Sequence, residues 1–154
     1  MDEDQYRHTY SNVITVKCVY EKAINSRQTS CEQANKVRLA DREAVACRSK
    51  ENCQRCSAFL EVLREKSLFA LKLLDHSGPL PHAKEIKVQM GSVIGLAIDN
   101  EVKVVKGQKI ENIFALLNAS LERYGNLEKL PYENFIRTIV NYEGRPKRKS
   151  RNKE

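Results

Sequence analysis

The chain has 154 residues, 41 % hydrophobic and 31 % charged, with a formal net charge of +7 and a mean hydropathy of −0.57. That length makes one domain the default and suffices for a core without disulfide staples. No apolar run approaches the ~18 residues of a membrane span, and the acidic start Met1-Asp2-Glu3-Asp4-Gln5 lacks the basic and apolar regions of a signal peptide, so the expected location is the cytoplasm, with no membrane partner.

Residues 6–26 predict a first helix. Tyr6, Tyr10, Val13, Val16 or Lys17, Tyr20 and Ile24 recur at helical spacing, although the β-branched run Val13-Ile14-Thr15-Val16 also suits a strand locally. Cys18, inside it, reads as a small buried hydrophobe. Thr29-Ser30-Cys31-Glu32 then offers a capping box. Ala34, Val37, Ala40 or Asp41, and Ala44-Val45 extend it into a second helix over roughly 30–46. A polar loop over 48–52 leads to a long helix from about Cys53 to Leu74. Its broad apolar surface, including Phe59, Leu60, Leu63 and Phe69, places it at the centre of the core, and Asp75-His76-Ser77-Gly78-Pro79 stops it.

Ile86, Val88 and Met90 alternate as in a strand, yet Ile86, Met90, Val93-Ile94 and Ala97 also make a helix over 83–98. In that helix Gly91 and Gly95 are close-contact points, each less favourable than Ala by about 1 kcal/mol. The strand alternative makes a hairpin with Val102 and Val104 across an Asp99-Asn100 turn; the helix is preferred for the first half, followed by a short hairpin or extended piece around 99–106. Residues 109–124 form a clear amphipathic helix on Ile110, Ile113-Phe114, Leu117, Leu121 and Tyr124. Pro131 opens a last helix through Tyr142. The expected fold is mainly α: a single-domain bundle of five to six helices over 1–143, with room for a small β-hairpin around 99–106. A flexible basic tail follows over 144–154.

Four of the five cysteines lie between Cys31 and Cys56, the last three spaced C-x5-C-x2-C as Cys47, Cys53 and Cys56. In a reducing compartment clustered cysteines read as ligands or redox groups before structural disulfides. Four thiolates complete a shell for an iron–sulfur cluster, the first expectation here, or for Zn²⁺. The candidate ligands are Cys31, Cys47, Cys53 and Cys56, with Cys18 as the substitute for Cys31. A substitute is needed because a straight helix would hold Cys31 and Cys47 about 24 Å apart. Either the segment breaks near Ala40-Asp41 or Cys31 is not a ligand. Arg48, Lys50 and Arg55 would offset the charge of a thiolate site. The pattern is similar to that of the WhiB-like iron–sulfur regulators, small basic helical proteins with an isolated cysteine before a C-x2-C-x5-C group. Here the two gaps are inverted, so no residue role is carried over; the resemblance implies only that such cysteine content suits a redox-sensitive cluster in a DNA-associated protein.

His82 and Glu85 form an i, i+3 pair, but a carboxylate-bridged site needs several such pairs on facing helices. No nucleophile motif, phosphate loop or paired-carboxylate pattern rises above noise, so no catalytic residue is assigned and a non-catalytic role is preferred. Arg145, Lys147, Arg148, Lys149, Arg151 and Lys153 stand against Glu154 alone, so +5 of the formal +7 lies in residues 145–154. Such an arm attracts DNA or RNA phosphates with salt-sensitive, sequence-neutral affinity. The expected function is a metal-binding, nucleic-acid-associated protein, such as a redox-responsive regulator. The alternative is a non-catalytic redox, electron-transfer or assembly accessory protein whose tail docks an acidic partner.

Overall fold

Six α-helices and one two-stranded antiparallel hairpin form among residues 3–14, 16–74 and 80–144, the residues that this computed structural model describes. Helices α1 (Glu3–Val13) and α2 (Glu21–Asn25) precede strands β1 (Ala34–Leu39) and β2 (Arg42–Cys47). Helices α3 (Lys50–Ser67), α4 (His82–Asp99), α5 (Ile113–Tyr124) and α6 (Tyr132–Asn141) follow. The expected stop at 75–79, with His76, and the basic tail over 145–154 lie outside the described residues.

The mainly α expectation holds, and the hairpin exists, but it lies at 34–47 and not at 99–106. The segment expected as a helix over 30–46 pairs Ala34 with Cys47, Val37 with Ala44 and Leu39 with Arg42. It reverses at Ala40-Asp41, Ala40 taking a left-handed φ of 58°. The capping box fails because its side chains bond far along the chain. Thr29 Oγ1 donates to the Ile110 carbonyl at 2.8 Å, and Glu32 Oε1 accepts from Asn112 Nδ2 at 3.1 Å. Leu39 and Ala44 are buried with Ile14 in a small second core, where Tyr6, Tyr10 and Val37 pack against them.

The expected first helix also breaks. Residues 16–18 run alongside β2, where Cys47 N–H donates to Val16 O at 2.9 Å and Cys18 N–H to Val45 O at 3.0 Å. Lys17 and Ala46 form the antiparallel bridge between them. Around 99–106 no strand forms among the described residues. The Asp99 carboxylate instead accepts from Ser120 Oγ at 2.7 Å, Arg123 Nη1 at 2.8 Å and Tyr124 OH at 2.6 Å, tying α4 to α5.

Helix α3 starts three residues before Cys53 because the Ser49 hydroxyl accepts from Asn52 N–H at 3.1 Å, an N-cap. It ends at Ser67, where Lys72 turns left-handed and Leu73 N–H reaches Leu68 O at 2.9 Å. Leu71 still enters the core, but Phe69, expected on the buried stripe, is exposed.

The main core joins α3, α4, α5 and α6. Gly91 and Gly95 let α6 approach α4 closely, as their reading as contact points requires: a Cβ on Gly91 would lie 2.4 Å from Ile139 Cα. Phe135 is wholly buried, edge-on to Phe59 and Tyr132 with ring centroids 5.6 and 6.0 Å away. Glu85 is fully buried as well and accepts from Arg64 Nε at 2.8 Å, Arg64 Nη2 at 2.9 Å, Gln89 Nε2 at 2.8 Å and Leu80 N–H at 3.1 Å. Burial would raise that carboxyl. The Arg64, Gln89 and Leu80 hydrogen bonds prevail and hold it below the ordinary carboxylate value.

Candidate metal centre

Two backbone pairings decide where the sulfurs go. The hairpin sets Cys47 opposite Ala34, and Ala34 N–H donates back to Cys31 O at 3.1 Å in a turn. Cys31 and Cys47 thus come to the same end of the hairpin, and the separation that a helix would impose disappears. Antiparallel pairing of 16–18 with β2 puts Cys18 opposite Val45. Cys47 is two residues along from Val45, so Cys18 and Cys47 share a face. Helix α3 then presents Cys53 and Cys56, one turn apart, to that face.

The result is one pocket lined by all five cysteines, Cys18, Cys31, Cys47, Cys53 and Cys56, and closed at the α5 side by Ile113 and Phe114. The strand-like pairing of 28–30 with 110–113 carries α5 there: Ile110 N–H donates to Gln28 O at 3.0 Å and Ile113 N–H to Ser30 O at 2.8 Å. The exposed part of the wall is apolar, and the void is about 20 Å³, room for roughly one water molecule. An organic substrate of ordinary size needs ~300–1,000 Å³.

All five thiols are free. Cys18 is buried and the other four are partly so. Burial pushes the Cys18 and Cys56 thiols up to about 12, with smaller contributions from the neighbouring cysteines. Cys31 and Cys53 are raised for the same first reason. Backbone amides oppose this. Those of Gln33, Phe114 and Ala34 act to lower the Cys31 thiol, that of Tyr20 the Cys18 thiol and that of Val19 the Cys53 thiol. Cys47 Sγ donates to Ser49 O and Cys53 Sγ to Lys17 O, each at 3.1 Å. Raised thiols are protonated near neutral pH, so the pocket by itself holds little charge. A cation entering it would displace protons.

Among the described residues, no group of three or more His, Cys, Asp or Glu side chains is arranged to hold a metal ion as it stands. The five cysteines line one space, but two of their sulfurs turn to backbone carbonyls, Cys47 to Ser49 O and Cys53 to Lys17 O. His82 and Glu85 do not come together as ligands: His82 Nδ1 pairs with Lys22 Nζ at 2.9 Å, and Glu85 belongs to the buried Arg64 pair. Of the nearby basic residues, Arg55 donates to Asn118 and lowers the Cys56 thiol slightly, while Arg48 and Lys50 are solvent-exposed. Sequence spacing put Cys18 only in reserve, and the amide donors were invisible to it. The β-branched run before Cys18 was the available signal.

No helix among the described residues is long and apolar enough to cross a membrane. Comparison with protein-family models, curated proteins and solved structures finds no match.

Proposed function

We propose that this protein is a metal-thiolate protein, with an iron–sulfur cluster ahead of zinc, that associates with nucleic acid through its basic C-terminal stretch. The observation that carries the reading is the convergence of five cysteines, from four separate stretches of chain, on one small apolar pocket. Core cysteines that are merely buried have no reason to assemble; soft thiolates gathered with amide donors suit iron or zinc. A cluster would make the pocket responsive to redox state, and six basic residues within 145–154 would supply salt-sensitive affinity for phosphates.

The test is anaerobic purification with absorbance and with iron, sulfide and zinc analysis. Brown protein with iron and acid-labile sulfide supports the cluster; colourless protein with stoichiometric zinc selects the zinc site. Metal-free protein after reconstitution with either refutes both. Binding to a DNA or RNA duplex should weaken with salt and be lost on deleting 145–154. Retained binding to an acidic protein, with none to nucleic acid, selects the redox-accessory alternative.

A further inference from the structure

The expected ligand set takes both cysteines of Cys53-x2-Cys56 and holds Cys18 in reserve, but the geometry divides the five thiols differently. We infer, building on the metal-thiolate reading above, that the ligands are Cys18, Cys31, Cys47 and Cys56, and that Cys53 is a fifth thiol at the mouth, placed to substitute for Cys47.

Three of the four are fixed by backbone pairing. Cys18 and Cys47 share a face through the antiparallel bridge of Lys17 with Ala46, and Cys31 is folded toward Cys47 through Ala34. None of these positions can shift without breaking a backbone hydrogen bond, so the three sulfurs form a preorganised side of the site. Cys56 completes it from the second turn of α3, one helical turn deeper than Cys53. Cys18 is the most enclosed of the five, and the neighbours that act on it are Cys31, Cys47 and Cys56. Its own backbone N–H is engaged by Val45 O, which holds the residue on the inward face.

Cys53 stands apart on two observations. Its sulfur donates to the Lys17 carbonyl in an exposed setting, on the outer edge of the strand-like 16–18 segment. Among the cysteines, Cys47 acts on it most, and it is the last of the three that act on Cys56. Cys47 in turn directs its sulfur at the Ser49 carbonyl. These two thiols are neighbours at the mouth, each turned to a backbone carbonyl, and either can turn inward after losing its proton to complete the fourth corner. Cys47 has the prior position because its backbone belongs to β2, whereas Cys53 sits in the first turn of α3.

The experiment is a panel of single Cys→Ser variants of the full chain, with iron, sulfide and zinc content and the visible absorbance measured after reconstitution. Cys53→Ser should hold the wild-type metal content. Cys18→Ser, Cys31→Ser and Cys56→Ser should each lose at least tenfold. Cys47→Ser should keep half or more with an altered spectrum, and Cys47→Ser/Cys53→Ser should lose it. Loss in Cys53→Ser, full retention in Cys18→Ser, or retention in the double variant overturns the assignment while leaving the metal reading intact. Wild type that takes up no metal sinks the metal reading itself. Because Cys18→Ser can fail to fold, wild type offers a second measurement. Brief iodoacetamide treatment of the loaded protein should place one carbamidomethyl group, on Cys53, and Cys53 protected alongside the others overturns the inference.

Discussion

Gly91→Ala is the sharpest test of how this core is built. A Cβ at position 91 would stand 2.4 Å from Ile139 Cα and 2.9 Å from Ile139 N. Both are backbone atoms, so no rotamer change relieves the clash; α4 and α6 must part by about 1 Å to restore ordinary contact. Alanine gains about 1 kcal/mol over glycine in helix propensity. Overpacking costs about 1–3 kcal/mol, and more where the backbone must move. Parting the helices also loosens Phe135 and Ile139, both wholly buried. The net expectation is a loss of about 2 kcal/mol, or a melting temperature lower by ~4–8 °C for a chain of this size. Urea and thermal unfolding followed by far-UV circular dichroism measure both. Gly95→Ala is the internal comparison. Its obstacles are the Phe135 ring and the Thr138 hydroxyl, at 2.7 and 2.8 Å. These are side-chain atoms, though the Phe135 ring is packed in the core and Thr138 Oγ1 bonds Gly91 O, so it should lose about 1 kcal/mol, less than Gly91→Ala. A Gly91→Ala protein as stable as wild type, or less damaged than Gly95→Ala, would refute the backbone-contact reasoning.

Replacing Glu85 by Ala strands the Arg64 guanidinium in the core and should destabilise by about 3–5 kcal/mol, read from the urea midpoint. The same carboxylate sets an acid limit. Its folded pKa is below the ordinary 4.5, so its contribution is whole above that value and fades as pH falls through the lower folded one. Wild type should therefore lose more stability than Arg64→Met/Glu85→Leu between about pH 5 and pH 3, and parallel curves would rule this out. Asp99→Ala removes the acceptor shared by Ser120, Arg123 and Tyr124 and should cost about 1–3 kcal/mol. Faster amide exchange centred on α5 is the signature, and uniform exchange would contradict it. Stripping the metal from loaded protein should lower the melting temperature, since a site drawing on four stretches of chain holds them together. Occupancy at 1,000-fold above Kd is worth about 4 kcal/mol, and calorimetry on loaded and chelated samples measures it.

Much of the helical frame was legible in the sequence because its stabilisation is periodic and local. The apolar spacing of 83–98 and 109–124 (the latter helical only from Ile113), Pro131 before α6, and two glycines four apart on α4 needed only helix geometry. So did the mainly α composition and the clustering of thiols. The hairpin was not legible. Ala34, Val37 and Ala44 fit either period, and the deciding bonds join Thr29 and Glu32 to residues about 80 positions later. For the same reason Cys18 looked like a core residue: only the pairing of 16–18 with β2 turns it toward Cys47. Glu85 was passed over as a core residue because a charge is buried only when a partner is ready, and Arg64 lies on another helix. The sequence by itself determined the helices from α3 onward and the supply of sulfur. Strand pairing, which needs a neighbour distant along the chain, was left to the tertiary structure, and that pairing placed five thiols in one pocket.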